Sequence, residues 1–469
     1  MRRSEVGVFG LGAMGEGFAL NLAGKGLRVS VYNRTPERTR EFAARVPEGH
    51  EVSPTYTVEE FVRSLERPRR VFVFVKAGPP VDEVIGSLLP HLEEGDVVVD
   101  CGNSHFRDSD RRQRELGLKS VEFVGMGVSG GYEGALKGPS IMAGGSLPGY
   151  SELEDVLKRV AADFRGEPCV GYFGPGGAGH LVKTVHNGIE YALMGSIAET
   201  YHLLREALNM TYDELSEVFG EWSGGELSSF LVEATARVLA HREDGEHLIE
   251  KVLDVAEQKG TGIWTSQLSL ELGVPAPSID EAVHYRFVSA RRDLRSAYSR
   301  HSCGVRPTRE PDRQELLEAA RSSLYLTHLA SYAQGLLLLS EASKRLGYGF
   351  DPAEAFRVWR AGCIIRSKVV ERAYSAFEST SGDRLGQFLE EFSGDFRHGV
   401  AGWRSFVSTA VRLGVPVPVT SSALNWFASI TSGWIAANLV QALRDYFGRH
   451  GFYRVDRPGS FTSSWGRGP

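Results

Sequence analysis

A short apolar run, Val6-Gly-Val-Phe9, leads directly into Gly10-Leu-Gly12-Ala-Met-Gly15, and the following residues read as a helix to about Gly24. Three glycines at this spacing between a strand and a helix commit the chain to a βαβ start. The first permits a tight turn, the second lets another group approach the backbone, and the third lets helix pack on strand. The helix N-terminus then offers unpaired N–H groups to an anion, the arrangement that holds a dinucleotide pyrophosphate. In a chain with 54 glycines the spacing alone carries little weight; the strand and helix on either side give it meaning. Gly10, Leu11, Gly12, Ala13, Met14 and Gly15 are therefore candidate cofactor-binding residues.

The next 160 residues or so continue the alternation. Val6–Phe9, Leu27–Tyr32, Val71–Val75, Val97–Val99 and Val121–Val124 read as buried strands separated by helical segments. Continuous apolar runs of this kind belong to a parallel sheet covered by helices on both faces. From about Ala178 the periodicity becomes helical, as in Ile189–Leu208, Leu324–Leu346 and Asp351–Ala373. The expected fold is thus an α/β Rossmann-like domain over residues 1–177, a large all-α domain over 178–435, and a C-terminal tail over 436–469.

The helical part carries a faint repeat. Leu272-Gly-Val-Pro-Ala-Pro277 returns as Leu413-Gly-Val-Pro-Val-Pro418, and Trp222-Ser-Gly-Gly225 has a counterpart in Trp359-Arg-Ala-Gly362. A tandem duplication is expected, with chance similarity as its rival. The last 30 residues or so, rich in Arg, Gly and Ser, read as a tail. Their aromatics, Phe447, Phe452, Tyr453, Phe461 and Trp465, are more than a disordered segment needs and point to docking, a second subunit being one partner.

Composition narrows the class. With 469 residues, 24% of them charged and a net charge of -6, the chain is an ordinary globular protein of two or three domains. The balance argues against a nucleic-acid or membrane-surface partner. Cys101, Cys169, Cys303 and Cys363 are scattered and form no C-x-x-C pair, so no metal site is expected and reduced thiols in the cytoplasm fit. The N-terminus has no signal-like apolar region, and no apolar stretch approaches the ~18 residues of a membrane span.

The second strand ends in Tyr32-Asn33-Arg34-Thr35-Pro36. An NAD site usually has an acid here for the ribose 2′-hydroxyl. Asn33, Arg34 and Thr35 instead offer a cation and hydrogen-bonding groups suited to the 2′-phosphate of NADP, although Thr35-Pro36 also suits a helix N-terminus. Val75-Lys76-Ala77-Gly78 and Asp100-Cys101-Gly102-Asn103 each close a strand. Ligands of open parallel sheets lie beyond such ends, which makes Val75, Lys76, Ala77 and Asn103 candidates. Gly127-Val-Ser129-Gly130-Gly131 offers backbone N–H groups and a hydroxyl to an anionic or hydroxylated substrate.

Downstream, Lys183-Thr-Val-His186-Asn187-Gly-Ile-Glu190-Tyr191 follows a glycine-rich lead-in. As a helix it places Lys183, His186, Asn187, Glu190 and Tyr191 within an arc of roughly 140°. One face then carries a candidate base, a candidate acid and hydrogen-bonding groups, and the other carries Val185, Ile189, Ala192 and Leu193 for a core. An ordinary solvated face is the plain alternative. Gly188 costs such a helix about 1 kcal/mol, so close packing is expected there. His180 and His186 lack a third ligand at metal spacing and read as hydrogen-bonding groups.

Together these segments resemble the 6-phosphogluconate dehydrogenase family over essentially the whole chain. The resemblance rests on Gly10–Gly15, Asn33–Pro36, Val75–Gly78, Ser129–Gly131, Glu133–Met142, Gly179-His180 and Lys183–Tyr191. Later matches are Lys259-Gly-Thr-Gly262, Arg286, Ser331–Gly335, Arg360–Arg366, Arg444–Gly448 and His450. It implies an NADP-dependent oxidative decarboxylation of 6-phosphogluconate in the pentose phosphate pathway, with Lys183 as general base and Glu190 as general acid. Asn103, Ser129, Gly130, Gly131, His186, Asn187 and Tyr191 are implied to hold the sugar acid, and Lys259, Arg286, Arg444 and His450 its phosphate. It further implies a homodimer in which the tail carries Arg444 and His450 to the partner's site. The chain departs from the family pattern at Ile263, where a lysine is common, at Cys101, where glycine is common, and at Gly12, where many members have alanine.

The residues themselves agree with this assignment. Oxidising a secondary alcohol needs a base for the hydroxyl proton and a hydride acceptor, and a lysine serves only if burial or nearby charge lowers its pKa. The β-keto acid so formed loses CO2 when its carbonyl is polarised, and an acid about two helical turns away completes the reaction. The sequence also admits two rival readings: a related β-hydroxyacid dehydrogenase acting on a small non-phosphorylated acid, and a non-catalytic NADP-binding sensor.

Overall fold

The computed structural model describes residues 2–258, 260–301, 311–379 and 382–466. It forms two compact units, Met1–Ala423 and Leu424–Pro469.

The first unit opens with an eight-stranded sheet. Its strands are β1 (Val6–Phe9), β2 (Val29–Tyr32), β3 (Val52–Pro54), β4 (Arg70–Val73), β5 (Val97–Asp100), β6 (Glu122–Ser129), β7 (Ser140–Gly145) and an edge strand, Val170–Tyr172. Their order is edge strand, β7, β6, β5, β4, β1, β2, β3. Period-2 alternation sends Val97, Val99 and Phe72 to one apolar core and Val98, Val71 and Val73 to the other, so both faces are buried. The strand order reverses at β1, which places a crevice beyond the carboxyl ends of β1 and β4.

The expected all-parallel sheet needs one correction. Every pairing is parallel except β6 with β7, which is antiparallel. Only the short helix Gly131–Lys137 joins these two strands, too little chain for a parallel crossover. The strand expected at Val121–Val124 runs instead from Glu122 to Ser129. Its second half is rich in glycine and so lacks the apolar signature of a strand.

The helical part of this unit is built on two long helices, Ala178–Leu208 and Arg313–Arg345. The two turns that share the Leu-Gly-Val-Pro pattern adopt the same geometry. Gly273 and Gly414 have φ of +60° and +70°. Val274 N–H donates to Ser269 O at 2.8 Å, and Val415 N–H to Ala410 O at 2.9 Å. The helix after each turn is capped by a side chain of a long helix. Gln334 Oε1 accepts from Ser278 N–H, and the Glu199 carboxylate accepts from Val419 and Thr420 N–H.

Two expected elements differ. The segment Asp351–Ala373 is not one helix but two, Ala353–Val358 and Lys368–Ser379. Gly362, at φ +64°, breaks it: a Cβ there would lie 2.5 Å from Gly138 O and from Ala162 Cβ. The tail is not devoid of helix. In the second unit Ala437–Gly448 is helical, and its buried Asp445 accepts from Gly451 N–H, Thr462 Oγ1–H, Ser463 N–H and Trp465 Nε1–H. One carboxylate thus gathers the strand pair Phe452–Tyr453 and Ser460–Phe461 onto the helix. No helix among the described residues is long and apolar enough to cross a membrane.

Candidate active site

The helix Ala178–Leu208 reaches its position because glycine removes what would obstruct it. A Cβ on Gly125 would meet His180 Nδ1 at 2.8 Å, one on Gly127 would meet Lys183 Cβ at 2.4 Å, and one on Gly144 would meet Gly179 N at 2.3 Å. Backbone of β6 and β7 therefore lies directly against the first turns of the helix. On its other sides, a Cβ on Gly188 would strike Thr265 Cγ2 at 2.5 Å, and one on Gly335 would strike Ile189 Cδ1 at 2.4 Å. Thr265 Oγ1–H donates to Thr184 O at 2.8 Å. Gly188 thus offsets its helix cost by admitting the helix Thr261–Glu271.

This packing overturns the picture of a polar face turned to solvent. Lys183 is 6% exposed, His186 0%, Asn187 8% and Tyr191 7%. His186 Nδ1 lies 3.2 Å from Lys183 Nζ and 3.1 Å from Asn187 Oδ1. Its Nε2 lies 3.0 Å from Ser129 Oγ and 2.8 Å from Cys363 Sγ. Glu190 is partly exposed, with a carboxylate oxygen 3.7 Å from His186 Nδ1. Burial pulls the Lys183 amine below the usual lysine range, with the Glu190 carboxylate opposing. It pushes the Glu190 carboxyl up, with Lys183 and Arg286 opposing. His186 is held well below its ordinary value by burial first and Lys183 second, which keeps the imidazole neutral.

Ser129 ends β6, and Gly130, at φ +118°, turns the chain into the next helix. A Cβ on Gly130 would lie 2.6 Å from Gly362 O, so this turn rests on the segment that carries Cys363. Trp359 backs the cluster, its ring edge-on to His186 with centroids 5.6 Å apart. The sequence marked Cys363 only as one residue of a motif. Its place beside His186 depends on the helix break at Gly362, which periodicity hid. Arg286 Cζ stands 3.4 Å from the Tyr191 ring centroid, and its Nη1 donates to Glu257 O at 3.1 Å. A Cβ on Gly262 would meet the Tyr191 ring at 2.5 Å, so Gly262 makes room for that ring.

The cofactor loop is equally specific. Gly10 has φ +103°, and a Cβ there would lie 2.3 Å from Phe74 O; one on Gly15 would lie 1.9 Å from Gly10 O. A Cβ on Gly12 would meet nothing within 4 Å. Gly10 and Gly15 thus answer to the protein's own packing, whereas Gly12 leaves open the space a pyrophosphate would take. Leu11 N–H donates to Asn33 Oδ1 at 3.0 Å, which ties the loop to the end of β2. Asn33 therefore supports the loop through its side chain. Arg34 is exposed, with no ion pair among the described residues, and Thr35 sits at the N-cap of Pro36–Ala44 without a side-chain capping bond. Met14 packs partly against the core, and Ala13 is exposed.

Val75, Lys76 and Ala77 follow β4 as a loop, the expected extension of that strand to Val75 being absent. Lys76 and Asn103 are exposed. Buried Asp100 shapes the second loop by accepting from Ser104 Oγ–H, Gly102 N–H and Arg112. Cys101 is buried in the core, and Ile263 is half-buried on its helix. Lys259 lies outside the described residues. Arg444 and His450 belong to the second unit, where Arg444 Nη1 donates to Gln441 Oε1 and the His450 ring meets that of Phe447 edge-on. No group of three or more His, Cys, Asp or Glu suited to a metal occurs among the described residues.

Residues 179–465 match the 6-phosphogluconate dehydrogenase C-terminal domain, and residues 5–174 the NAD binding domain of 6-phosphogluconate dehydrogenase. A Bacillus subtilis (strain 168) protein, "6-phosphogluconate dehydrogenase, NADP(+)-dependent, decarboxylating", is 44% identical over 471 residues, covering 99% of this chain and 100% of the relative. The decarboxylating 6-phosphogluconate dehydrogenase of Escherichia coli (strain K12) is 43% identical over 470 residues, with the same coverage. The Plasmodium falciparum 6-phosphogluconate dehydrogenase, solved in its apo form and in complexes with NADP+ and with 6-phosphogluconate, superposes with a TM-score of 0.93. It is 39% identical, over 98% of this chain and 100% of its own. With both halves matched by the family's domains and the full length aligned at such identity, the chain belongs to the 6-phosphogluconate dehydrogenase family.

Proposed function

We propose that this protein converts 6-phospho-D-gluconate to D-ribulose 5-phosphate and CO2 while reducing NADP+ to NADPH. The observation that carries the reading is the buried Lys183 amine, held against His186 one turn of helix from Glu190. NADP+ is the cofactor named for the Bacillus subtilis relative and present in a complex of the Plasmodium falciparum enzyme. The open space over Gly12, the uncapped helix N-terminus after it and the exposed Arg34 fit that group. When bound, its nicotinamide supplies hydride acceptance. Residues Gly10–Gly15 would hold its pyrophosphate, and Asn33, Arg34 and Thr35 would meet its 2′-phosphate; Val75, Lys76, Ala77 and Asn103 would line the crevice.

The chain's own residues then move the protons. Lys183, whose charged form burial disfavours, takes the proton of the C3 hydroxyl as C3 becomes a carbonyl. The resulting ammonium polarises that carbonyl, the C1–C2 bond breaks, and CO2 leaves with an enediol behind. Glu190, whose carboxyl burial pushes up against the pull of Lys183 and Arg286, gives a proton to C1. Asn103, Ser129, Gly130, Gly131, His186, Asn187 and Tyr191 hold the sugar acid, and Arg286, already stacked on Tyr191, meets its phosphate with Lys259. Arg444 and His450 complete the phosphate site from the partner of a homodimer. Exposed Leu439, Val440, Leu443 and Phe447 on the helix Ala437–Gly448 support such an association. The described cysteines, Cys101, Cys169 and Cys363, are unpaired and buried, which fits the cytoplasm.

The test is an assay of purified protein with 6-phosphogluconate and NADP+, following absorbance and CO2 together. Equal amounts of NADPH and CO2 are expected. Reduction without CO2 would remove the decarboxylation, and no reduction would remove the function.

A further inference from the structure

Lys183 acts as a base only if its lone pair is free, and the tautomer of His186 decides that. The imidazole is fully buried and neutral, so only one of its nitrogens carries hydrogen. With hydrogen on Nδ1, the ring would donate to the Lys183 lone pair 3.2 Å away and occupy it. With hydrogen on Nε2, Nδ1 accepts an N–H from Lys183, and the lone pair stays available to substrate.

We propose that Cys363 is a positioning residue for this base: its sulfur accepts the His186 Nε2–H and thereby fixes the tautomer that leaves the Lys183 lone pair free. The inference rests on the proposed role of Lys183. It stands on the geometry at both ends of the ring. Nε2 faces two groups able to accept, Cys363 Sγ at 2.8 Å and Ser129 Oγ at 3.0 Å. Nδ1 faces one acceptor, Asn187 Oδ1 at 3.1 Å, and the Lys183 amine, which carries N–H in either protonation state. Once Lys183 is an ammonium, an Nδ1–H would set donor against donor. Burial pushes the Cys363 thiol up to about 12, so it stays a neutral thiol beside the ring.

Ser129 shares this choice at Nε2, and Asn187 opposes it at Nδ1. Glu190 lies on the same helix, 3.7 Å from Nδ1. Arg286, from the helix Pro277–Ala290, is stacked on Tyr191. Tyr332, from the helix Arg313–Arg345, has its hydroxyl committed to Ile365 O at 2.6 Å. Strand β6 contributes uncharged Ser129, and the helix Thr261–Glu271 uncharged Thr265.

The experiment compares the wild type, Cys363→Ser, Cys363→Ala and the volume-conserving Cys363→Val. It uses 15N-histidine NMR, with His186→Gln to assign the signal, and the pH dependence of kcat. In the wild type and Cys363→Ser, hydrogen is expected on Nε2. In Cys363→Ala and Cys363→Val it shifts toward Nδ1, kcat falls about tenfold with little change in KM, and the acidic limb of kcat moves to lower pH. The sign follows because an Nδ1–H stabilises the Lys183 amine and repels its ammonium. Hydrogen on Nδ1 in the wild type would overturn the proposal. So would Ala and Val variants that keep the wild-type tautomer and acidic limb, or that raise KM alone. A wild type inactive on 6-phosphogluconate would count against the proposed function, while the tautomer measurement would still judge Cys363.

Discussion

Gly127 and Lys183 share a space that admits only one side-chain stem: a Cβ on Gly127 would lie 2.4 Å from Lys183 Cβ and 3.2 Å from Gly179 O. The strand supplies no side chain so that the helix can bring the amine down onto it. Gly127→Ala is therefore expected to lower kcat sharply and to cost about 1–3 kcal/mol of stability through overpacking, read by turnover and urea denaturation. Gly12→Ala is the contrast. Its Cβ would meet no protein atom within 4 Å, so stability should hold while the NADP+ KM changes. Equal stability losses in the two variants would contradict this division between packing and ligand space.

Lys183→Met separates chemistry from binding. NADP+ affinity, measured by calorimetry, should stay near wild type, while turnover falls by about 10³-fold or more. Stability should move the other way. Burial lowers the folded-state pKa of Lys183. The unfolded chain therefore holds a proton that folding must release, at a cost that is largest at lower pH and vanishes as pH rises past the unfolded lysine value of about 10.4. The methionine variant should gain stability at neutral pH, and the gain should shrink toward pH 10. Near-normal turnover would show that another group is the base.

These two residues also show how far sequence carries. The βαβ start, the end of β2 and the helical spacing from Lys183 to Tyr191 were all legible, because each rests on local periodicity or turn chemistry. The burial of that helix was not. It depends on glycines from three distant segments, Gly125 and Gly127, Gly144, and Gly335, meeting one helix, and glycine leaves no apolar signature to read. The antiparallel β7, the break at Gly362 and the helix in the tail were hidden for a related reason. Each is decided by contacts far apart in sequence, such as Gly362 against Gly138 or Asp445 against Trp465.

Arg34 is exposed, has no ion pair among the described residues and follows the residue that anchors the cofactor loop. Removing it should cost the 2′-phosphate a charge-assisted hydrogen bond of about 1.5–3 kcal/mol. Arg34→Ala should thus raise the NADP+ KM by roughly 10- to 100-fold and leave NAD+ kinetics nearly unchanged. Steady-state kinetics with both cofactors decide the matter, and equal losses would mean that Arg34 does not read the phosphate.

A tail that serves the partner subunit makes a prediction about mixtures. Lys183→Met and Arg444→Ala should each be inactive alone. Unfolded together and refolded, they should recover about a quarter of wild-type activity, because half of the dimers are mixed and each mixed dimer has one intact site. No recovery, with mixed dimers demonstrated by mass, would place Arg444 in its own subunit's site.

The helix cap formed by Glu199 makes a prediction about pH. Its carboxylate caps the helix after the second turn, as Gln334 caps the helix after the first, but it is buried and its pKa rises to about 7 from an ordinary 4.5. A folded-state pKa above the unfolded one means that the native protein binds the extra proton. The stabilisation is complete below about 4.5 and is lost as pH rises through about 7. Glu199→Gln copies the neutral cap of the other turn and should remove this loss. The variant should match the wild type near pH 5.5 and exceed it by about 1–3 kcal/mol near pH 8.5, measured by urea denaturation across that range. A wild type equally stable at both ends would show that the two backbone N–H donors keep Glu199 ionised throughout.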